Sequence, residues 1–146
     1  KEVVEVYEEY ELPESDSVME SKAMTGGREE AKMYHARMVE NEPSNPNRMA
    51  NYAGFLFHFF GDYEQTIYHG SKAYEMWPTP LPANRLASAY LARSAHLLEF
   101  GNESDARSAY KEALALKFDP GYVMQICYPL CEEISGVLAE FRETPL

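Results

Sequence analysis

A chain of 146 residues, 45% of them hydrophobic, is long enough to bury a sizeable core as one domain without help from metals or disulfides. Its 24 acidic against 13 basic residues give a formal charge of −11, which opposes binding to nucleic acid phosphates or an anionic membrane surface and favours a basic, polar or apolar protein partner. No run of roughly 18 uncharged apolar residues and no charged-then-apolar leader occurs, so membrane insertion is not expected; because the sequence starts at Lys1, an upstream targeting segment stays open, with the cytoplasm favoured.

Residues 1–12, KEVVEVYEEYEL, set Tyr7 and Tyr10 among acids and read as a short helix or an extended acidic arm, a docking peptide or a solvated tail. Residues 13–27 are poor in large apolar side chains and promise at most a weak helix, so 1–25 is taken as an N-terminal arm. GGREEAKMYHARMVENEP, from Gly26 to Pro43, predicts a helix near 28–41 between a Gly-Gly turn and a proline stop. NRMANYAGFLFHFF predicts a helix over 47–60, and GDYEQTIYHGSKAYEMWP, Gly61 to Pro78, another over 63–76, although Thr66 and Gly70 stand on its apolar face. WPTPLPANR, with Pro78, Pro80 and Pro82, reads as a stiff extended joint before a helix over 83–100. GNESDARSAYKEALALKFDP, Gly101 to Pro120, predicts a helix over 103–117. A last helix is expected over 121–142, where Val123, Cys127, Leu130, Cys131, Ile134, Val137, Leu138 and Phe141 recur at threes and fours, kinked by Pro129.

Three of these segments run from a glycine to a proline. Gly26 to Pro43 and Gly61 to Pro78 have the same length, and the starting glycines 26, 61 and 101 are spaced by 35 and then 40 residues, a period at which helical pairs repeat. Gly61 and Gly101 suit the left-handed turn that ends the first helix of a pair, Asp62 and Asn102 suit the cap of the second, and the prolines stop it. The middle copy reads Ala50-x2-Ala53-Gly54-x2-Phe57, then Thr66, Gly70, Ala73 and Pro78; the third keeps Tyr90, Leu97, Ala106, Tyr110 and Ala113. These positions resemble the tetratricopeptide repeat, W-x2-L-G-x2-Y, A-x3-F, P, a helix–turn–helix of about 34 residues. Arg93 and Ser94 depart from its Leu-Gly, and the first copy offers Ala31 and Pro43 with His35 for the aromatic and no convincing first helix. The resemblance implies an all-α, helix–turn–helix solenoid of about 2.5–3 repeats over 26–120, with a C-terminal capping helix in 121–146.

Projected at about 100° per residue, the helix over 47–60 places Ala50, Ala53, Gly54 and Phe57 on one side, Met49, Tyr52, Leu56 and Phe60 on a second, and Arg48, Asn51, Phe55, His58 and Phe59 on a third. By the resemblance, this third side lines a concave groove for a partner peptide, continued in the next copy by Leu91, Ala95 and Leu98. The alternative is that the chain's own arm or terminal helix covers Phe55 and Phe59. Only Arg48 and Asn51 resemble the clamp with which some family members hold acidic chain ends, so a peptide with apolar anchors, possibly basic, is the expected partner.

His35, His58, His69 and His96 are scattered, with His58 and His69 flanking the 61–62 turn and able to approach across it; no metalloprotease, nucleophile-elbow or phosphate-loop motif occurs. No enzyme activity and no cofactor are expected. Cys127 and Cys131 read as buried helix residues, a metal or redox pair being the alternative. The expected function is a non-catalytic protein-interaction module: an adaptor, a scaffold or a chaperone-like assembly factor similar to secretion chaperones. The other reading is a structural segment of a longer solenoid, or a self-associating scaffold.

Overall fold

The computed structural model describes residues 15–121, 123 and 131–142, and every regular element among them is an α-helix. In chain order these are α1 (Asp16–Met24), α2 (Arg28–Asn41), α3 (Pro46–Phe60), α4 (Tyr63–Met76), α5 (Pro80–Glu99), α6 (Glu103–Ala115) and α7 (Cys131–Arg142). The fold is all-α, built of helix–turn–helix hairpins. It divides between Ser44 and Asn45 into two compact units, inside the 26–120 span read from sequence as one array. The first 14 residues, Cys127 and Pro129 lie outside the described residues, as does the side chain of Cys131.

The first unit holds the α1–α2 hairpin, and α1 corrects the expectation that the first copy lacks an initial helix. Its sequence, DSVMESKAM, shows almost no segregation of apolar residues, because one of its inward positions is a lysine. Met19 and Ala23 are buried, and Lys22 lies alongside them with its stem covered while its ammonium reaches Glu30 of α2 at 2.5 Å. Ser15 accepts from the Val18 amide to start the helix. Gly26, at φ +104°, closes it, its amide reaching the Ala23 carbonyl and the next amide, Gly27, the Lys22 carbonyl.

The second unit repeats the device twice. Gly61 (φ +61°) and Gly101 (φ +78°) take the left-handed conformation that closes α3 and α5. Asp62 and Asn102 then accept from the Gln65 and Asp105 amides at 3.1 and 3.2 Å, capping α4 and α6. All three second helices therefore begin two residues after their glycine, at Arg28, Tyr63 and Glu103.

Within each of these two hairpins a buried hydroxyl ties one helix to the other. The Thr66 hydroxyl of α4, fully buried, lies 3.1 Å from the Ala53 carbonyl of α3 and 2.8 Å from the Asp62 carbonyl. Ser94 of α5 donates to the Ala106 carbonyl of α6 at 2.6 Å. The polar residues that looked misplaced on apolar faces are thus satisfied in the core, where an unpaired hydroxyl would cost about 1–3 kcal/mol. The small residues have equally local reasons: a Cβ at Gly54 would run into the Arg85 guanidinium, whereas one at Gly70 would meet Leu86 at an ordinary 3.6 Å. Gly70→Ala is therefore expected to stabilise the second unit by roughly 0.5–1 kcal/mol, by removing the helix penalty of glycine without a clash, read as a raised thermal midpoint.

The proline-rich joint is the second correction. Only residues 77–79 lie outside helices; Pro80 and Pro82 sit in the first turn of α5, where a missing N–H breaks no intrahelical bond. The five residues by which the second glycine spacing exceeds the first go into α5, 20 residues long against 15 for α3. α4 packs on both α3 and α5, α6 packs on α5, and α7 lies chiefly against α5. Their shared core joins Phe57, Leu91, Tyr110, Ile134, Val137 and Phe141 with a set of alanines. Of the terminal helix expected over 121–142, residues 121, 123 and Cys131–Arg142 are helical, the residues between them lying outside the described set, and Val123 enters the same core.

Candidate functional site

α3 is held by its ends: Asn45 accepts from the Asn47 amide at 3.0 Å, Pro46 supplies the first helical residue, and Gly61 turns the chain out. Two of its three sides are consumed by packing, since Ala50 and Ala53 are fully buried and Met49, Leu56 and Phe57 nearly so. On the third side, His58 is exposed and Arg48, Asn51 and Phe59 are half-buried. The rings of this side lie together, Phe55 at 5.0 Å from Phe59 and 5.9 Å from Phe60, with His58 edge-on to Phe59 at 4.7 Å.

Two of the predicted groove residues are corrected by burial. Phe55 is 6% exposed and serves as the support on which Phe59 and Phe60 rest. Leu91 has no exposure at all, because α7 packs on α5 and brings Ile134, Val137 and Phe141 into the same core; Ala95 and Leu98 are half-buried against it. The face of α5 that was to continue the groove is covered by the chain's own helix. What remains as an accessible strip is Arg48, Asn51, His58 and Phe59 of α3. Neither family models nor curated proteins nor solved structures give a significant match to this chain.

The histidines take separate partners rather than each other. His69 of α4 lies 4.7 Å from the Tyr52 ring of α3 and edge-on to Tyr68 at 5.0 Å, and the Lys72 ammonium sits over Tyr68 and 2.7 Å from its hydroxyl. Burial raises the Tyr52 phenol above its ordinary range, with the Asp62 carboxylate adding to it. Burial, and after it the Lys72 ammonium, push the His69 imidazole below its usual 6.5. Folding thus favours neutral His69: its contribution is complete above the unfolded pKa and is lost as pH falls through it toward the lowered value. Between about pH 7 and about pH 5.5 the wild-type thermal midpoint is expected to fall further than that of His69→Gln, in paired melts.

Among the described residues no three His, Cys, Asp or Glu side chains are grouped to hold a metal ion, and no helix is long and apolar enough to cross a membrane. The reading of Cys127 and Cys131 as core residues or as a metal or redox pair falls outside those residues. A cleft that sequence reasoning missed opens at the beginning of α5, about 640 Å³ in volume, walled by Tyr74 of α4, Pro78, Pro80 and Leu81, and by Leu116 after α6. The sequence signal for it was the longer second glycine spacing together with the Pro-Thr-Pro-Leu that lines it.

Proposed function

We propose that the chain is a non-catalytic protein-interaction module of tetratricopeptide-like hairpins, which holds a partner peptide on the outward strip of α3. The observation that carries this reading is the composition of that strip. On a helix with two sides packed, an aromatic ring, an imidazole, a guanidinium and a carboxamide lie at the surface on the third, the mixture of apolar anchor and polar rim found where proteins meet. The overall charge of −11 supports a partner carrying basic residues beside its apolar anchor, since it would speed their encounter. The adaptor or assembly-factor role follows from this as a proposal, because a fold hosts many functions and the site must decide among them.

The test is affinity capture with wild type and with Arg48→Glu/Phe59→Ala, followed by titration of the captured partner in purified form. Both side chains are half-buried at most, so the variant is expected to keep its helical circular dichroism and lose at least tenfold in affinity, about 1.4 kcal/mol. Unchanged binding would remove the α3 strip from consideration. Sedimentation that shows mass rising with concentration, equally in both proteins, would favour the self-associating scaffold instead.

A further inference from the structure

The cleft at the start of α5 carries a feature that packing does not explain. An α-helix leaves its first four amides without intrahelical acceptors. In α5 two of those positions are prolines, Pro80 and Pro82; the Ala83 amide reaches the Thr79 carbonyl at 3.2 Å, and the Leu81 amide has no partner among the described residues. Thr79 occupies the cap position, yet its buried hydroxyl makes no bond, neither to the Leu81 amide nor at the third helical residue, where Pro82 has none to give. One turn on, Asn84 is only 6% exposed and lines the cleft. Its Oδ1 accepts from the Asp119 amide at 2.9 Å, which fixes the orientation of the carboxamide and leaves both Nδ2 hydrogens without a partner among the described residues.

We propose that this cleft is a second binding site, for the main-chain carbonyl of an extended apolar peptide. Two unspent donors, Leu81 N–H and Asn84 Nδ2–H, line the cleft at the positive end of a 20-residue helix, and both call for an acceptor oxygen. The charges beside them decide against an anion. Lys117 and Asp119 both line the cleft and offset one another, no further cation lines it among the described residues, and the chain as a whole is strongly acidic. A neutral carbonyl satisfies the donors without opposing that field. The ring of Tyr74, Pro78, Pro80 and the side chains of Leu81 and Leu116 then offer apolar contact to the residues on either side of the carbonyl. This site uses none of the α3 strip and stands independently of the function proposed for it.

The experiment is a titration of 15N-labelled full chain, followed by NMR, with acetyl-Leu-Pro-Leu-amide, with the same peptide as its free acid, and with acetate. The capped peptide is expected to shift the Leu81 amide and the Asn84 side-chain amide with a Kd on the order of 1 mM or tighter. Asn84→Asp keeps an acceptor for the Asp119 amide but has no donor, and is expected to bind at least tenfold more weakly. If that variant fails to fold, Tyr74→Ser removes one wall and should weaken the peptide at least threefold. The proposal is overturned if the capped peptide shifts neither group, if either folded variant binds as tightly as wild type, or if only the free acid and acetate bind, which would mark a simple helix-terminus anion site. Shifts confined to Arg48, Asn51, His58 and Phe59 would also overturn it, while supporting the α3 reading.

Discussion

Leu91→Ala is expected to destabilise the second unit by about 2–5 kcal/mol, whereas Phe59→Ala should cost less than about 1 kcal/mol. The two residues were assigned to the same groove from their helix positions, and the contrast comes from what covers them. Leu91 has no solvent exposure and lies in the core that α7 completes with Ile134, Val137 and Phe141, so truncation removes buried methyls and opens a cavity the neighbours cannot fill. Phe59 is only half-buried, resting on Phe55 and beside His58. Denaturant titrations of the two variants, read by circular dichroism, provide the check. Equal and small losses would mean that α7 does not close over α5 and that the groove is open along both helices.

The turns were legible in the sequence because their chemistry is local. A left-handed residue followed by a short polar cap needs no distant partner, and Gly61-Asp62 and Gly101-Asn102 adopt the conformations expected of them. The start of each second helix follows from the same signal. What failed was every inference that depended on a neighbour. α1 read as at most a weak helix because a lysine stem does the work of an apolar side chain at position 22, and pattern reading counts that residue as polar. The beginning of α5 was read as extended because three prolines at alternate positions suit an extended chain, although two of them fit a first turn. Leu91 looks the same in sequence whether a partner's chain or the protein's own α7 lies over it.

The same limit applied to polar residues. Thr66 and Ser94 stood on faces that should be apolar, and only the approach of the paired helix supplies the carbonyls that make them good core residues. Lys117 is the counterpart of this among the turns. It takes φ +52°, the one described non-glycine residue in the left-handed region; counted from the starting glycine it matches Glu42 and Trp77, which end their helices with negative φ just before the prolines. The third copy thus closes with a conformation that sequence did not mark, beside the cleft that α5 opens.

Phe141→Ala is expected to cost about 3–5 kcal/mol, which would make it the most damaging single truncation in α7. The ring is 1% exposed, packs on Tyr110 of α6 at 5.2 Å between centroids, and carries the Arg107 guanidinium over its face at 4.9 Å. Losing it leaves the aromatic partner without its contact and takes the cation from a ring face, so the penalty exceeds simple transfer of a phenyl group. Phe141→Leu separates these terms: it restores most of the buried volume and none of the aromatic contacts, and should recover more than half of the loss. If both variants melt like wild type, α7 is not part of the core. Leu91 would then return to the list of surfaces a partner can reach, and the reading of α5 as covered by its own chain would have to be withdrawn.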